Sequence, residues 1–124
     1  MRMADGEGSF RFKVLFVCSR NRRRSLTAEH LFGGLPDVEV RSAGTQPTAR
    51  IVVTEGLLGW ADLILVMEKS HLRRLEKRYS EVLARKKIVA LHIPDEFEYM
   101  QPELIDELQA KALRLMTRES DGFQ

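Results

Sequence analysis

The 124-residue sequence lacks several features that would place it in a specialised class of protein. Its single cysteine excludes an intramolecular disulfide and a cysteine-cluster zinc site. No run of 18 apolar residues is present, and acidic residues stand near the N-terminus where a secretory signal would be apolar, so we expect a cytoplasmic protein with no membrane segment. With only 8 Gly and 4 Pro, collagen-like and low-complexity classes are also excluded.

The sequence also lacks a large excess of charge of one sign, because it contains 20 Lys and Arg and 18 Asp and Glu. A net charge of +2 does not by itself predict a nucleic-acid partner, so any basic signal must be local. The 44% hydrophobic content and the length suit one core. We expect a single domain over 1–124, with an ordered core at about 11–116 and flexible ends at 1–10 and 117–124.

Strand and helix patterns alternate along the chain. Short apolar runs predict strands, and segments with helical apolar spacing predict helices. The predicted strands are 13–17, 38–41, 63–67 and 88–91; the predicted helices are 25–32, 70–83 and one that begins at Pro102, with one or two helical turns in 51–60. The helical spacing after Pro102 predicts that Leu104, Ile105, Leu108, Ala112 and Leu115 face inward. This order predicts an α/β fold with a parallel sheet and helices on both faces. Ligands of such folds bind at the carboxyl ends of the strands.

The segment after the first strand carries the strongest chemical signal. Cys18 is followed by five residues, then by Arg24 and Ser25. A loop of this length can wrap its N–H groups around an anion, with the next helix N-terminus adding its positive end, and this environment favours the thiolate of Cys18. Arg24 could hold two oxygens of a phosphoryl group, and Ser25 could donate to the sulfur.

Two other interpretations of this segment stay open. A cysteine at a strand end can be a small core residue. The intervening residues are Ser19, Arg20, Asn21, Arg22 and Arg23. We expect them to line a phosphate site, although such a basic run can also be a nucleic-acid patch. The absence of interleaved aromatic residues disfavours nucleic acid.

The sequence VLFVCSRNRRRSLTAEHLF resembles the active-site segment of the low-molecular-weight protein tyrosine phosphatases. Segments 41–45 (RSAGT) and 62–71 resemble two further blocks of that family, and the similarity spans 12 to about 110. The resemblance implies a four-stranded sheet in the order 2-1-3-4, Cys18 as nucleophile, Arg24 as phosphate clamp and Ser25 as partner of the thiolate. It also implies that Asn21 and Ser42 form a hydrogen-bonded pair that braces the loop. We expect no metal or cofactor, because no metal-ligand spacing is present and phosphoryl transfer by a thiolate needs none.

The family's general acid is an aspartate on a late loop, and Asp95 in the segment IPDEF fits that place. Glu96 stands where the family has proline, so Glu98 or Glu103 could reach the leaving group instead. Phe97 and Tyr99 follow in the same segment. They would either form an aromatic wall beside the bound substrate, with Phe97 as a contact, or pack under the loop.

Four departures from the family pattern concern the substrate. Arg23 stands at the position of the family's second loop cysteine, so a vicinal disulfide is impossible, and Arg20 replaces a loop glycine. Arg22 occupies the position that helps relatives to separate phosphotyrosine from phosphoarginine. The stretch 45–62 is shorter than the family's helical segment, which predicts a more open pocket with one wall missing.

The sequence therefore predicts a phosphatase that hydrolyses phosphomonoesters, foremost phosphotyrosine on proteins, through a cysteinyl-phosphate. Its partner would be a phosphorylated protein or a small phosphomonoester, not a membrane. The alternatives are a non-catalytic module that binds phosphate, phosphoprotein or RNA, and an arsenate reductase that depends on an external thiol because further cysteines are absent. Trp60 is expected in the core, and His71 as a helix cap or packing residue.

Overall fold

The computed structural model describes residues 11–121. The ends 1–10 and 122–124, for which the sequence predicts flexibility, lie outside the described residues, whereas 117–121 continue the last helix. In chain order the elements are β1 (Phe12–Cys18), α1 (Arg24–Phe32), β2 (Val38–Gly44), α2 (Glu55–Trp60), β3 (Leu63–Val66), α3 (Lys69–Leu83), β4 (Lys87–Ala90), α4 (Pro102–Leu108), a π-helical turn (Gln109–Leu113) and α5 (Arg114–Asp121).

The four strands form one parallel sheet in the order β2-β1-β3-β4, which confirms the predicted topology. Side chains of β1 alternate between two cores. Val14 and Phe16 pack with α1, α4 and α5 on one face. Leu15 and Val17 pack with α2 and α3 on the other. Both faces of the central strand are therefore buried, which explains its continuous apolar run.

Strand β2 extends to Gly44, three residues beyond the predicted end. Residues 42–44 pair in parallel register with 16–18, so that Gly44 lies beside Cys18. The ambiguous stretch 51–60 contains helix only from Glu55 to Trp60. That helix begins where the side chain of Thr54 accepts a hydrogen bond from the Leu57 N–H at 3.1 Å.

The C-terminal helical segment differs from its predicted phase. Leu104, Leu108 and Ala112 are fully buried as expected, whereas Ile105 and Leu115 are only half-buried and Met116 is buried instead. The π-helical turn at 109–113 explains the change from Leu115 to Met116, because its wider turn shifts the inward positions that follow it.

None of the helices in the described part of the chain is both long enough and apolar enough to cross a membrane.

Candidate active site

A cavity of about 280 Å³ opens at the carboxyl end of β1. The loop 19–23 joins β1 to α1, so Cys18 is the last residue of the strand and Arg24 the first of the helix. The lining residues are Cys18, Ser19, Arg20, Arg22, Arg23, Arg24, Gln46 and Asp95. All except Gln46 were singled out by the sequence, and the fold brings Asp95 to the loop from 77 positions beyond Cys18.

Segment 45–50 holds the carbonyl groups of the loop. Four consecutive carbonyls accept hydrogen bonds from it: Cys18 from the Thr45 N–H (2.9 Å), Ser19 from the Gln46 N–H (3.0 Å), Arg20 from the Arg50 N–H (3.0 Å) and Asn21 from Arg50 Nε (3.2 Å). Within residues 11–121, the N–H groups of Arg20, Arg22 and Arg23 donate to no other protein group. These amides remain available to an anion, as the loop spacing predicts.

This bracing is the part of the site that the sequence did not reveal. The short length of the stretch after Thr45 predicted a missing wall of the pocket, but it did not predict that residues 45–50 pack against the loop. Gly44 makes the contact possible, because a Cβ there would lie 2.5 Å from the Ser19 carbonyl oxygen and 2.6 Å from Ala49 Cβ. The glycine in RSAGT was the available signal; nothing in the sequence marked Arg50.

The Cys18 thiol is buried and has two polar neighbours. Its Sγ lies 2.9 Å from Ser25 Oγ and accepts from the Asn21 N–H at 3.3 Å. Ser25 Oγ in turn accepts from Asn21 Nδ2 at 2.7 Å, so its own proton is free to point at the sulfur; the Ala43 carbonyl is a longer alternative at 3.4 Å. The Ser25 hydroxyl and the Asn21 N–H are therefore the groups placed to donate to the sulfur, close to the N-terminus of α1.

The predicted hydrogen bond between Asn21 and Ser42 is not formed. The Asn21 side-chain amide donates to Ser25, and Ser42 Oγ donates to the carboxylate of Glu29 in α1. A carboxylate is a stronger acceptor than a neutral amide, which accounts for the partner of Ser42. Asn21 braces the loop in another way: its φ of 59° is left-handed, a conformation that asparagine tolerates well.

The guanidinium of Arg24 is buried and anchored along one edge. Its Nη1 donates to Glu68 Oε1 and to the Ile93 carbonyl, each at 2.8 Å. Its Nε lies 3.8 Å from Asp95 Oδ1. Because Nη1 is used for anchoring, the edge formed by Nε and Nη2 is the one available to a phosphoryl group.

His71 connects the loop to the partner of Arg24. Its Nδ1 accepts from the Glu68 N–H inside a capping box at the start of α3, and its Nε2 lies 3.0 Å from Ser19 Oγ in the loop. Burial, with the nearby positive charge of Arg24, lowers the pKa of His71 to about 4. The ring is therefore neutral near pH 7 and carries its proton on Nε2, which donates to Ser19. This agrees with the expected capping role.

The late loop places one carboxylate at the cavity. Asp95 lines it with a side chain that is 58% exposed, whereas Glu96, Glu98 and Glu103 do not contribute to the lining. Glu98 lies outside, 3.9 Å from Arg23 Nε. The arrangement suits the expected role of Asp95, because a proton donor must reach both the leaving group and solvent.

The expected aromatic wall is absent from the cavity lining. Phe97 packs against the core formed with α1 and α4, so it is not a substrate contact, and Tyr99 hydrogen bonds to His30 with the rings edge-on. The Met100 N–H donates to Thr27 Oγ1 at 2.9 Å, which draws this segment over α1 and away from the cavity. Trp60 is half-buried against the other core, with the guanidinium of Arg41 over its ring.

The order of the strands and the anion-binding loop after β1 together define the class of protein to which this fold is similar. The chain has the fold of the low-molecular-weight protein tyrosine phosphatases, which are hydrolases, and the resemblance predicted from its motifs is confirmed. By sequence alone, no family profile and no curated protein matches the chain.

Particular solved structures show the extent of the likeness. The low-molecular-weight protein tyrosine phosphatase from T. tengcongensis is 26% identical, with a TM-score of 0.70 over 86% of this chain and 99% of its own. Wzb from Escherichia coli K30, a tyrosine phosphatase in complex with phosphate, is 24% identical (TM-score 0.63, 90% and 98%). The YwlE arginine phosphatase from Geobacillus stearothermophilus is 22% identical (0.62, 90% and 92%). A YwlE mutant with serine in place of cysteine carries a phosphorylated active-site serine (23% identical, 0.68, 86% and 95%).

Proposed function

We propose that this protein is a cytoplasmic phosphatase that hydrolyses phosphomonoesters, with phosphotyrosine on proteins among its substrates, through a phosphocysteine at Cys18. One observation carries the proposal: Cys18 Sγ sits at the base of unpartnered loop amides, with Arg24 and Asp95 on the same cavity. Nucleophile, phosphate clamp and proton donor are the groups that phosphoryl transfer to a thiolate requires.

The first step is attack on phosphorus. The Cys18 thiolate forms a bond to phosphorus as the bond to the leaving oxygen breaks, and Asp95 gives that oxygen its proton. The loop amides and the free edge of Arg24 stabilise the charge on the equatorial oxygens. Ser25 supports the sulfur through its hydroxyl proton.

The second step returns the enzyme to its starting state. The Asp95 carboxylate takes a proton from water, the resulting hydroxide oxygen bonds to phosphorus, and the phosphorus–sulfur bond breaks. Inorganic phosphate leaves, and Cys18 is again a thiolate. The phosphorylated serine of the YwlE mutant supports this assignment, since it puts a phosphoryl group on the nucleophile position of a similar fold.

Hydrolysis of p-nitrophenyl phosphate by purified protein tests the proposal. We expect Cys18→Ser to reduce kcat/KM by more than about a thousandfold, because a hydroxyl is a far poorer nucleophile near neutral pH. A circular dichroism spectrum of the variant provides the fold control. Residual activity above a tenth of wild type would show that another group performs the chemistry.

Alkylation gives a second, independent readout. Cys18 is the only cysteine in the chain, so one carboxymethyl group from iodoacetate reports on this site alone. Labelling should inactivate the enzyme, and inorganic phosphate should slow labelling and inactivation equally. Phosphate protection without any hydrolysis would favour a binding module, and thiol-dependent reduction of arsenate in place of hydrolysis would favour the reductase.

A further inference from the structure

Three arginines surround the entrance of the cavity in addition to the buried clamp. Arg20, Arg22 and Arg23 are exposed, and all three line the same space as Cys18. In the proposed mechanism Arg24 binds the scissile phosphate, so these three guanidinium groups would face the leaving group of the substrate. We call Arg20, Arg22 and Arg23 the entrance arginines.

The charge of the entrance arginines is largely uncompensated. Within the described part of the chain, Arg20 and Arg22 form no ion pair, and Arg23 meets only Glu98, at 3.9 Å between two exposed side chains. A pair of this kind contributes little. Among the described residues that line the cavity, Asp95 is the one acidic residue, and its carboxylate lies 3.8 Å from Arg24 Nε. The entrance of the cavity is therefore a basic surface that can bind an anion.

Among the residues that the structure describes, no aromatic side chain lines the cavity beside the leaving group. Phe97 and Tyr99 are turned toward α1, as described above. An aryl ring or an alkyl chain would thus meet guanidinium groups and Gln46 in place of an apolar wall. A leaving group that carries positive charge, as phosphoarginine does, would meet like charge.

These observations point to a substrate class, and the inference rests on the phosphatase activity proposed above. The geometry points to phosphomonoesters, phosphotyrosine included, that carry a further anionic group beside the scissile phosphate. Arg24 and the loop amides hold the scissile phosphate. The entrance arginines hold the second anion, which is a second phosphate or a carboxylate, in charge-assisted hydrogen bonds.

Matched substrates isolate the second anion. One pair is a phosphotyrosyl peptide flanked by glutamates and the same peptide flanked by glutamines, which share one leaving group. The other pair is a hexose bisphosphate and the corresponding hexose monophosphate. At low salt we expect kcat/KM to be at least about tenfold higher for the more anionic member, since a charge-assisted contact of ordinary strength changes binding by that factor. The pair with the larger ratio indicates whether the anion comes from a protein or a small molecule.

Variants test whether the entrance arginines cause the ratio of kcat/KM between the two members of a substrate pair. The triple variant Arg20→Gln, Arg22→Gln, Arg23→Gln should bring the ratio close to one. A control variant, Arg73→Gln, Lys77→Gln, Arg85→Gln, removes the same charge from exposed residues of α3 and the turn after it that do not line the cavity, and it should keep the ratio. Raising the salt concentration should lower the wild-type ratio, because exposed charges are screened.

The outcomes separate this inference from the proposed function. A wild-type ratio near one, with Cys18-dependent hydrolysis intact, would overturn the substrate class alone. If no substrate is hydrolysed, titration calorimetry of Cys18→Ser decides: tighter binding of pyrophosphate than of phosphate, lost in the triple variant, would keep the anion preference while the enzyme proposal fails. Equal affinities there would overturn both. Tight binding of a mixed-sequence oligoribonucleotide, lost in the triple variant but not in the control, would also overturn the inference in favour of a nucleic-acid surface.

Discussion

The site consists of two regions that differ in burial and in the quality of their contacts. The floor comprises buried residues in hydrogen bonds of 2.7–3.3 Å: Cys18, Asn21, Arg24, Ser25 and His71. The rim comprises exposed residues: Arg20, Arg22, Arg23, Asp95 and Glu98. Its closest ion pairs are 3.8 and 3.9 Å long.

This difference teaches how the site divides its tasks. Buried polar groups are costly unless they are paired, so the hydrogen bonds of the floor keep the nucleophile and the clamp in place, while the buried Asn21 Oδ1 has no partner among the described residues. Exposed pairs near 4 Å contribute little, so rim side chains can rearrange around a substrate. The floor fixes the chemistry, and the rim selects what is processed.

The largest effect is expected from a change in the floor that preserves charge. Arg24→Lys should lower kcat/KM for p-nitrophenyl phosphate by roughly 10³-fold, because an ammonium cannot hold Glu68, the Ile93 carbonyl and two phosphate oxygens at once. Rim variant Arg23→Lys is the matched comparison and should lose far less. Steady-state kinetics on both variants checks this; a tolerated lysine at position 24 would mean that a rim arginine is the clamp.

A smaller and substrate-dependent effect is expected at the rim. Asp95→Asn should slow hydrolysis of phenyl phosphate by about 10²-fold or more and that of p-nitrophenyl phosphate less, because a better leaving group needs less protonation. Glu96→Gln and Glu98→Gln serve as controls, since neither residue lines the cavity. Leaving-group dependence in Glu98→Gln in place of Asp95→Asn would move the acid to Glu98.

A moderate effect is expected where the floor is supported from α3. Glu68→Gln keeps an oxygen acceptor for Arg24 Nη1 but removes its negative charge. We expect kcat/KM to fall roughly tenfold, because a hydrogen bond to a neutral acceptor is weaker than one to a charged acceptor by about the corresponding free energy. The loss should appear as a lower kcat together with a larger inhibition constant for phosphate. Glu81→Gln, exposed on the same helix, is the control. Unchanged phosphate inhibition would show that Glu68 does not position the clamp.

The remaining effect concerns stability and leaves the chemistry of the site unchanged. The pKa of His71 is 6.5 when unfolded and about 4 when folded, so between these values the unfolded chain binds a proton that the folded chain does not. The contribution is complete above about pH 6.5 and is lost as the pH falls toward 4, by at most about 3 kcal/mol.

Urea unfolding of wild type and His71→Gln across that range measures the His71 contribution. The variant should show a weaker decline of the unfolding free energy, whereas His92→Asn, at an exposed position with a φ of 58°, should behave as wild type. Parallel curves for wild type and His71→Gln would contradict the assignment.

Much of this protein follows from local sequence pattern. The apolar run of β1, the five-residue spacing from Cys18 to Arg24 and the hydroxyl of Ser25 specify strand, anion loop and helix, because each depends on residues that are neighbours in the chain. The alternation of strands and helices then predicts a parallel sheet, and the family resemblance supplies its order.

The tertiary structure decided which side chains meet. Arg24 is anchored by residues 44 and 69 positions away, Arg50 holds the Asn21 carbonyl, and Asn21 supports Ser25 where the resemblance implied Ser42. Phe97 packs against the core and not in the cavity, because the backbone of its segment is hydrogen bonded to α1 through the Met100 N–H and Thr27 Oγ1. Local patterns encode the conformation of each segment, but contacts of this range depend on where the crossovers bring the segments together, and that is settled only when the cores on both faces of the sheet are packed.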